Sequence, residues 1–163
     1  MQPPDFRNYL VDGDPDQIEA LVRATGFFSL EETGIARELA DDALAHGESS
    51  HYRFILAEEE NQLRGYASFG RIPGTRSGWD LYWIVVAPEF QSQSLGRRML
   101  TLAEARIQSA GGDRLYAETS TRPQYAPTRS FYYRCGFHQA AMFPDFYSPG
   151  DGKIVYLKLL PVG

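Results

Sequence analysis

The spacing of apolar residues along the chain switches between a strand rhythm and a helix rhythm, with turn residues at the switches. Phe6 to Val11 reads as a short opening strand closed by Asp12-Gly13. Asp14-Pro15-Asp16-Gln17 then predicts a helix start, with Asp14 as N-cap, Pro15 at the first helical position and Gln17 placed to complete a capping box. Ile18, Leu21 and Val22 give that helix an apolar face before Gly26 ends it. Ser29-Leu30-Glu31-Glu32 is a second capping box, and Ile35, Leu39 and Ala43 with Ala36, Ala40 and Leu44 extend it as an amphipathic helix to about Gly47. Tyr52 to Ala57 and Leu63 to Gly70 predict an antiparallel pair joined through Glu58-Glu59-Glu60-Asn61. Leu81 to Val86 has the composition of a central strand buried on both faces. Leu95, Met99, Leu102 and Ile107 outline the longest helix, stopped by Gly111-Gly112. Arg114 to Thr119 reads as strand, Pro127 to Cys135 as a short helix ended by Gly136, and Phe137 to Met142 and Ile154 to Leu159 as two closing strands. The order is β, α, α, β, β, β, α, β, α, β, β, in one α/β (α+β) domain spanning residues 1–163.

Composition narrows the class. A domain of 163 residues, 43% hydrophobic, buries roughly 70% of its extended-chain surface and needs no metal or disulfide to hold it. The lone Cys135 excludes an intrachain disulfide and a multi-cysteine metal site. No run of 18 apolar residues occurs, and Met1 is followed at once by Gln2-Pro3-Pro4, so the expectation is a cytoplasmic protein with no membrane partner. A formal charge of −5 argues against a nucleic-acid partner, whose phosphates call for a basic face. The charge is also divided. Residues 1–60 hold 14 Asp/Glu against four Arg, a net of −10, whereas residues 61–163 hold seven against 12 Lys/Arg, a net of +5. This asymmetry fits either a solvated acidic helix pair or a site with an anionic ligand on one side and a cationic one on the other.

The strongest chemical signal follows the central strand. A buried strand, a short loop and a helix start make an anion site, because unpaired backbone N–H groups and the positive end of the helix dipole converge there. Here the loop is Ala87 to Ser94 and the helix opens at Leu95-Gly96-Arg97-Arg98, with two arginines that oppose the dipole unless an anion docks.

Val86-Ala87-Pro88 followed by Gln91-Ser92-Gln93-Ser94-Leu95-Gly96-Arg97 resembles the signature of the GNAT superfamily of acetyl-CoA-dependent N-acetyltransferases. Phe131-Tyr132-Tyr133-Arg134-Cys135-Gly136-Phe137 is similar to a second family segment, and Tyr82-Trp83-Ile84 with Asp145 to Asp151 look like a bacterial subgroup of unassigned substrate. The resemblance implies a mixed, mostly antiparallel central sheet of six to seven strands flanked by about four helices. It implies acetyl-CoA as cosubstrate and no metal. Backbone amides of Gln91, Ser92, Gln93, Ser94, Leu95, Gly96 and Arg97 would cradle the pyrophosphate, and Ile84, Val85 and Val86 would pair with the pantetheine, a bulge freeing one amide for the thioester carbonyl. Two residues depart from the family pattern. Ser94 stands where Gly is usual, and Tyr125 stands where an Asn often contacts the coenzyme, so Tyr125 would pack on the pantetheine arm instead.

Transfer to an amine needs a proton donor for the leaving thiolate and an acceptor for the amine proton. Tyr132 falls on the position of the family's general acid, and a phenol stays protonated at neutral pH. Asp80 falls where several members place a base; Glu118 is its rival, and no single base is the third alternative. Cys135 reads as a small buried hydrophobe. The acidic second helix and the aromatics Trp79, Tyr82, Phe146 and Tyr147 suit a small cationic amine as acceptor. A protein or peptide amine, or a non-catalytic acyl-CoA-binding role, remain the alternatives. The closing strands could support a homodimer.

Overall fold

The computed structural model describes residues 3–91 and 93–161. Its elements are β1 (Asp5–Arg7), α1 (Asp14–Ala24), α2 (Leu30–His46), β2 (Arg53–Glu59), β3 (Gln62–Arg71), β4 (Gly78–Val86), α3 (Leu95–Ser109), β5 (Arg114–Ser120), α4 (Ala126–Arg134), β6 (His138–Ser148) and β7 (Asp151–Leu159). This is the predicted order. The strands form a seven-stranded sheet in the order β1-β2-β3-β4-β5-β7-β6. Pairs β1/β2, β2/β3, β5/β7 and β6/β7 are antiparallel and β4/β5 is parallel, so the sheet is mixed and mostly antiparallel as expected. Among the described residues no helix is long and apolar enough to cross a membrane. The chain packs as two compact units, one comprising the chain up to Gly70 with Trp83–Ala105, the other Arg71–Tyr82 with Arg106 onward.

In the first unit, Ile18, Leu21 and Val22 of α1 and Ala36, Ala40 and Ala43 of α2 cover Phe54, Leu56, Tyr66 and Val85. The α1 start differs from the prediction. Gly13, at φ 95°, occupies the cap, and Asp14 is the first helical residue with no capping bond. The Asp14 carboxylate is 1% exposed and accepts instead from both Arg7 guanidinium nitrogens, at 2.6 and 2.7 Å, and from the Val11 N–H. A buried carboxylate gains more from a forked guanidinium than from one helix amide. Gln17 is likewise diverted, accepting the Leu63 N–H at 2.7 Å. Arg7 also donates to Tyr9 C=O, and the strand ends at Arg7 rather than at Val11. The Ser29–Glu32 capping box forms as predicted, but α2 buries its small residues, including Thr33, and leaves Ile35 44% exposed. With 17 residues, α2 rather than α3 is the longest helix.

Between β2 and β3 the left-handed pair Glu60 and Asn61 makes a two-residue hairpin turn. Gly65 of β3 lies against Met99 of α3 and the Val85 carbonyl, at a spacing a Cβ would reduce to 3.0 Å. The Ile72 N–H bonds to Gly78 C=O and the Ala87 N–H to Arg64 C=O. Nine residue steps on the β4 side therefore match eight on the β3 side, so β4 carries one extra residue, a bulge, between Gly78 and Ala87.

In the second unit, Gly78 to Leu81 pair in parallel with Arg114 to Ala117. β6 and β7 are longer than predicted and meet at Pro149-Gly150, with Gly150 at φ 82°. Pro144 and Asp145 sit inside β6 where its register with β7 shifts, Asp145 being left-handed at φ 55°. The α4 side of β7 holds Ile154 and Tyr156 in the core.

Candidate active site

The proposed cofactor residues of the first unit lie on β4 and the turn into α3. Val85 is buried and Ile84 and Val86 half-buried. The Gln91 side-chain amide donates to Val86 C=O at 3.2 Å, and the Gln91 backbone N–H bonds to Pro88 C=O at 3.4 Å, so Gln91 braces the turn. Gln93 donates from its side chain to Glu89 C=O at 3.4 Å. Ser92 lies outside the described residues.

Ser94 adopts φ 62°, the left-handed conformation that costs a glycine nothing. The departure at this position therefore places a side chain where the backbone conformation favours glycine. The first intrahelical bond runs from the Arg98 N–H to Ser94 C=O at 3.0 Å. The N–H groups of Leu95, Gly96 and Arg97 precede it, as at any helix start, and Gly96 adds no side chain beside them. Leu95 is buried and anchors the turn. Of the two first-turn arginines, Arg98 stacks its guanidinium 4.8 Å from the Phe6 ring centre, a packing role that needs no anion.

Arg64 supports this turn and escaped the sequence reading. Its carbonyl accepts the Ala87 N–H, its guanidinium lies 4.9 Å over Phe90, and it reaches Glu59 at 3.4 Å and Glu89 at 4.0 Å. An arginine amid the apolar run Leu63 to Gly70 was the available signal. The expected excess of negative charge on α1 and α2 is partly neutralised within the unit. Arg37 pairs with Asp16 and Glu19, both at 2.6 Å, and Arg23 pairs with Glu19.

In the second unit Tyr132 lies on α4, 5% exposed, with its ring against Phe131, Phe137 and Tyr156. Burial pushes its phenol well above the ordinary value, with smaller pushes from Cys135 and Tyr156, so it is fully protonated at neutral pH. Tyr125 closes a short 3-10 turn at the α4 start. Arg129 of α4 donates to the carbonyls of Ser120 and Arg122 at 2.8 and 2.9 Å, fastening the helix to the end of β5. Cys135 is buried, as expected.

The two candidate bases differ in setting. Asp80 is the third residue of β4, opposite Tyr116 of β5 and partly exposed. Glu118 is half exposed and ion-paired to the Lys153 ammonium at 3.2 Å. The sequence reading did not foresee that pair, because it depends on the register between β5 and β7.

The comparisons with known proteins bear on this arrangement. Residues 18–137 match the model of the acetyltransferase (GNAT) family. The chain belongs to the GNAT acetyltransferase family. A Desulfovibrio desulfuricans protein assigned as a GNAT-family acetyltransferase is 41% identical over 97% of this chain and 99% of its own, with a TM-score of 0.95. The ribosomal-protein-S18-alanine N-acetyltransferase of Escherichia coli is 20% identical, covering 98% and 96% of the two chains with a TM-score of 0.75. An aminoglycoside 6′-N-acetyltransferase complexed with coenzyme A is 18% identical, covering 96% and 98% at 0.74. These last two share the fold with this member of the family. No curated protein sequence matches the chain.

Proposed function

We propose that this GNAT-family protein transfers an acetyl group from acetyl-CoA to a primary amine of a small cationic metabolite, directly within a ternary complex. The observation that carries the proposal is the amino-terminal turn of α3, where left-handed Ser94 and side-chain-free Gly96 stand beside the N–H groups that open the helix. That turn suits a pyrophosphate, and Leu95, Gly96 and Arg97 would bind it through their amides. Acetyl-CoA supplies an activated acetyl thioester.

The amine must arrive neutral, because only its lone pair can form the new C–N bond. As the C–S bond breaks, the sulfur needs one proton and the nitrogen must lose one. Tyr132, held neutral by burial, is the proposed donor to sulfur. Asp80, directly or through water, is the proposed acceptor from nitrogen, since Glu118 is already committed to Lys153. Tyr125 would pack along the pantetheine.

The test is thiol release from acetyl-CoA across a panel of polyamines, aminoglycosides, amino acid derivatives and a peptide amino terminus. Release with a small amine is expected. Activity with the peptide alone would overturn the small-molecule acceptor, and acetyl-CoA binding with no turnover on any amine would overturn the enzymatic reading.

A further inference from the structure

On β7, Lys153 stands directly opposite Ser120 of β5 and Phe143 of β6. Glu118, two residues before Ser120, projects from the same face, whereas Ile154 and Tyr156 project toward α4. The Lys153 ammonium is 3.2 Å from the Glu118 carboxylate, 4.4 Å from the Phe146 ring centre and 5.9 Å from that of Phe143. Tyr147 adds its ring at a right angle to Phe146, 5.0 Å away. A carboxylate and two aromatic faces around one cation are the groups that recognise a free ammonium. The lysine side chain is 17% exposed, but Glu118, Phe143 and Phe146 are each about half exposed, within reach of a dissolved cation.

Resting on the proposed acetyl transfer, we infer that Glu118, Phe143 and Phe146 form a subsite for a charged ammonium, occupied in the free protein by Lys153, and that the acceptor carries at least two amines. The second clause follows from protonation. A carboxylate and aromatic faces favour the charged form of an amine, whereas acetyl transfer consumes the neutral form. One nitrogen cannot serve both, so a second amine of the same molecule is the one held here. Lys153 is tethered and competes for the place; its flexible four-carbon stem lets the ammonium withdraw to water when a dication arrives.

The experiment compares butane-1,4-diamine with butylamine in thiol release, and measures diamine binding by calorimetry without acetyl-CoA. Phe146→Leu keeps bulk while removing the aromatic face, and Lys153→Met removes the competing charge while keeping the stem. Circular dichroism verifies that both variants fold. The wild type is expected to prefer the diamine about tenfold in kcat/KM, Phe146→Leu to lose about fivefold of that preference, and Lys153→Met to bind the diamine about fivefold more tightly. If both amines are acetylated alike by the wild type and both variants, the subsite is wrong while acetyl transfer stands. If no amine is acetylated yet Lys153→Met still binds the diamine more tightly than wild type, the subsite stands and acetyl transfer is wrong.

Discussion

The carbonyl of Ser94 accepts the N–H of Arg98 at 3.0 Å, so the residue that opens α3 is also one held at φ 62°. A serine Cβ is strained there and a glycine is not. Ser94→Gly is expected to raise stability by about 0.5–1 kcal/mol, read as a Tm increase of a few degrees, and to keep or tighten acetyl-CoA binding. A lowered Tm would mean that the serine hydroxyl contributes more than the backbone strain costs.

Gly112 lies where a Cβ would overlap the Ile107 and Trp79 side chains, and its N–H bonds back to Ile107 C=O at 2.8 Å. Gly112→Ala is therefore expected to cost about 2–3 kcal/mol by overpacking, measured by chemical denaturation. Gly136→Ala is expected to be milder: its φ of 93° is unfavourable for a side chain, but the nearest neighbour is the flexible end of Lys158.

The contrast between the two helix starts explains what was legible in advance. Ser29 and Glu32 satisfy each other within four residues, so their capping box could be read locally. Asp14 carries the same local pattern, yet Arg7 binds both Asp14 and Glu58, the latter 51 residues further along. A buried partner overrode the local preference. The strand, loop and helix around the α3 start were legible for the same reason as the capping box: their signals lie in consecutive residues. The Glu118–Lys153 pair, the Arg64 brace and the Arg129 fastening depend on strand register and tertiary packing, which no local pattern encodes.

Burial pushes the phenols of Tyr66 and Tyr132 well above their ordinary value and that of Tyr156 to about 12. In the unfolded chain each titrates near 10. The folded state therefore binds these protons more tightly, and stability is fully present below pH 10 and lost as pH rises from there through the folded values. Denaturation between pH 8 and 12 should show this decline, with tyrosinate absorbance from Tyr66 and Tyr132 appearing only together with unfolding. Their ionisation while the fold is intact would contradict the burial argument.

Tyr132→Phe is expected to lower turnover about a hundredfold while acetyl-CoA affinity stays within about twofold and the fold is kept. Unchanged turnover would remove the phenol from the proton path. Asp80→Asn is expected to lower kcat by a similar factor; an unchanged kcat would mean that the amine loses its proton to water alone.

The last strand in the sheet order, β6, exposes Met142 and Phe143 and contains Pro144 and left-handed Asp145. Proline offers no N–H, and the register shift that follows it turns the backbone out of line. Any extended chain adding to this margin meets one register shift between Gln139 and Ala141 and a second beyond Phe143, so only short runs before Pro144 can lengthen the ladder. The remaining stretch carries its own guard against uncontrolled growth of the sheet.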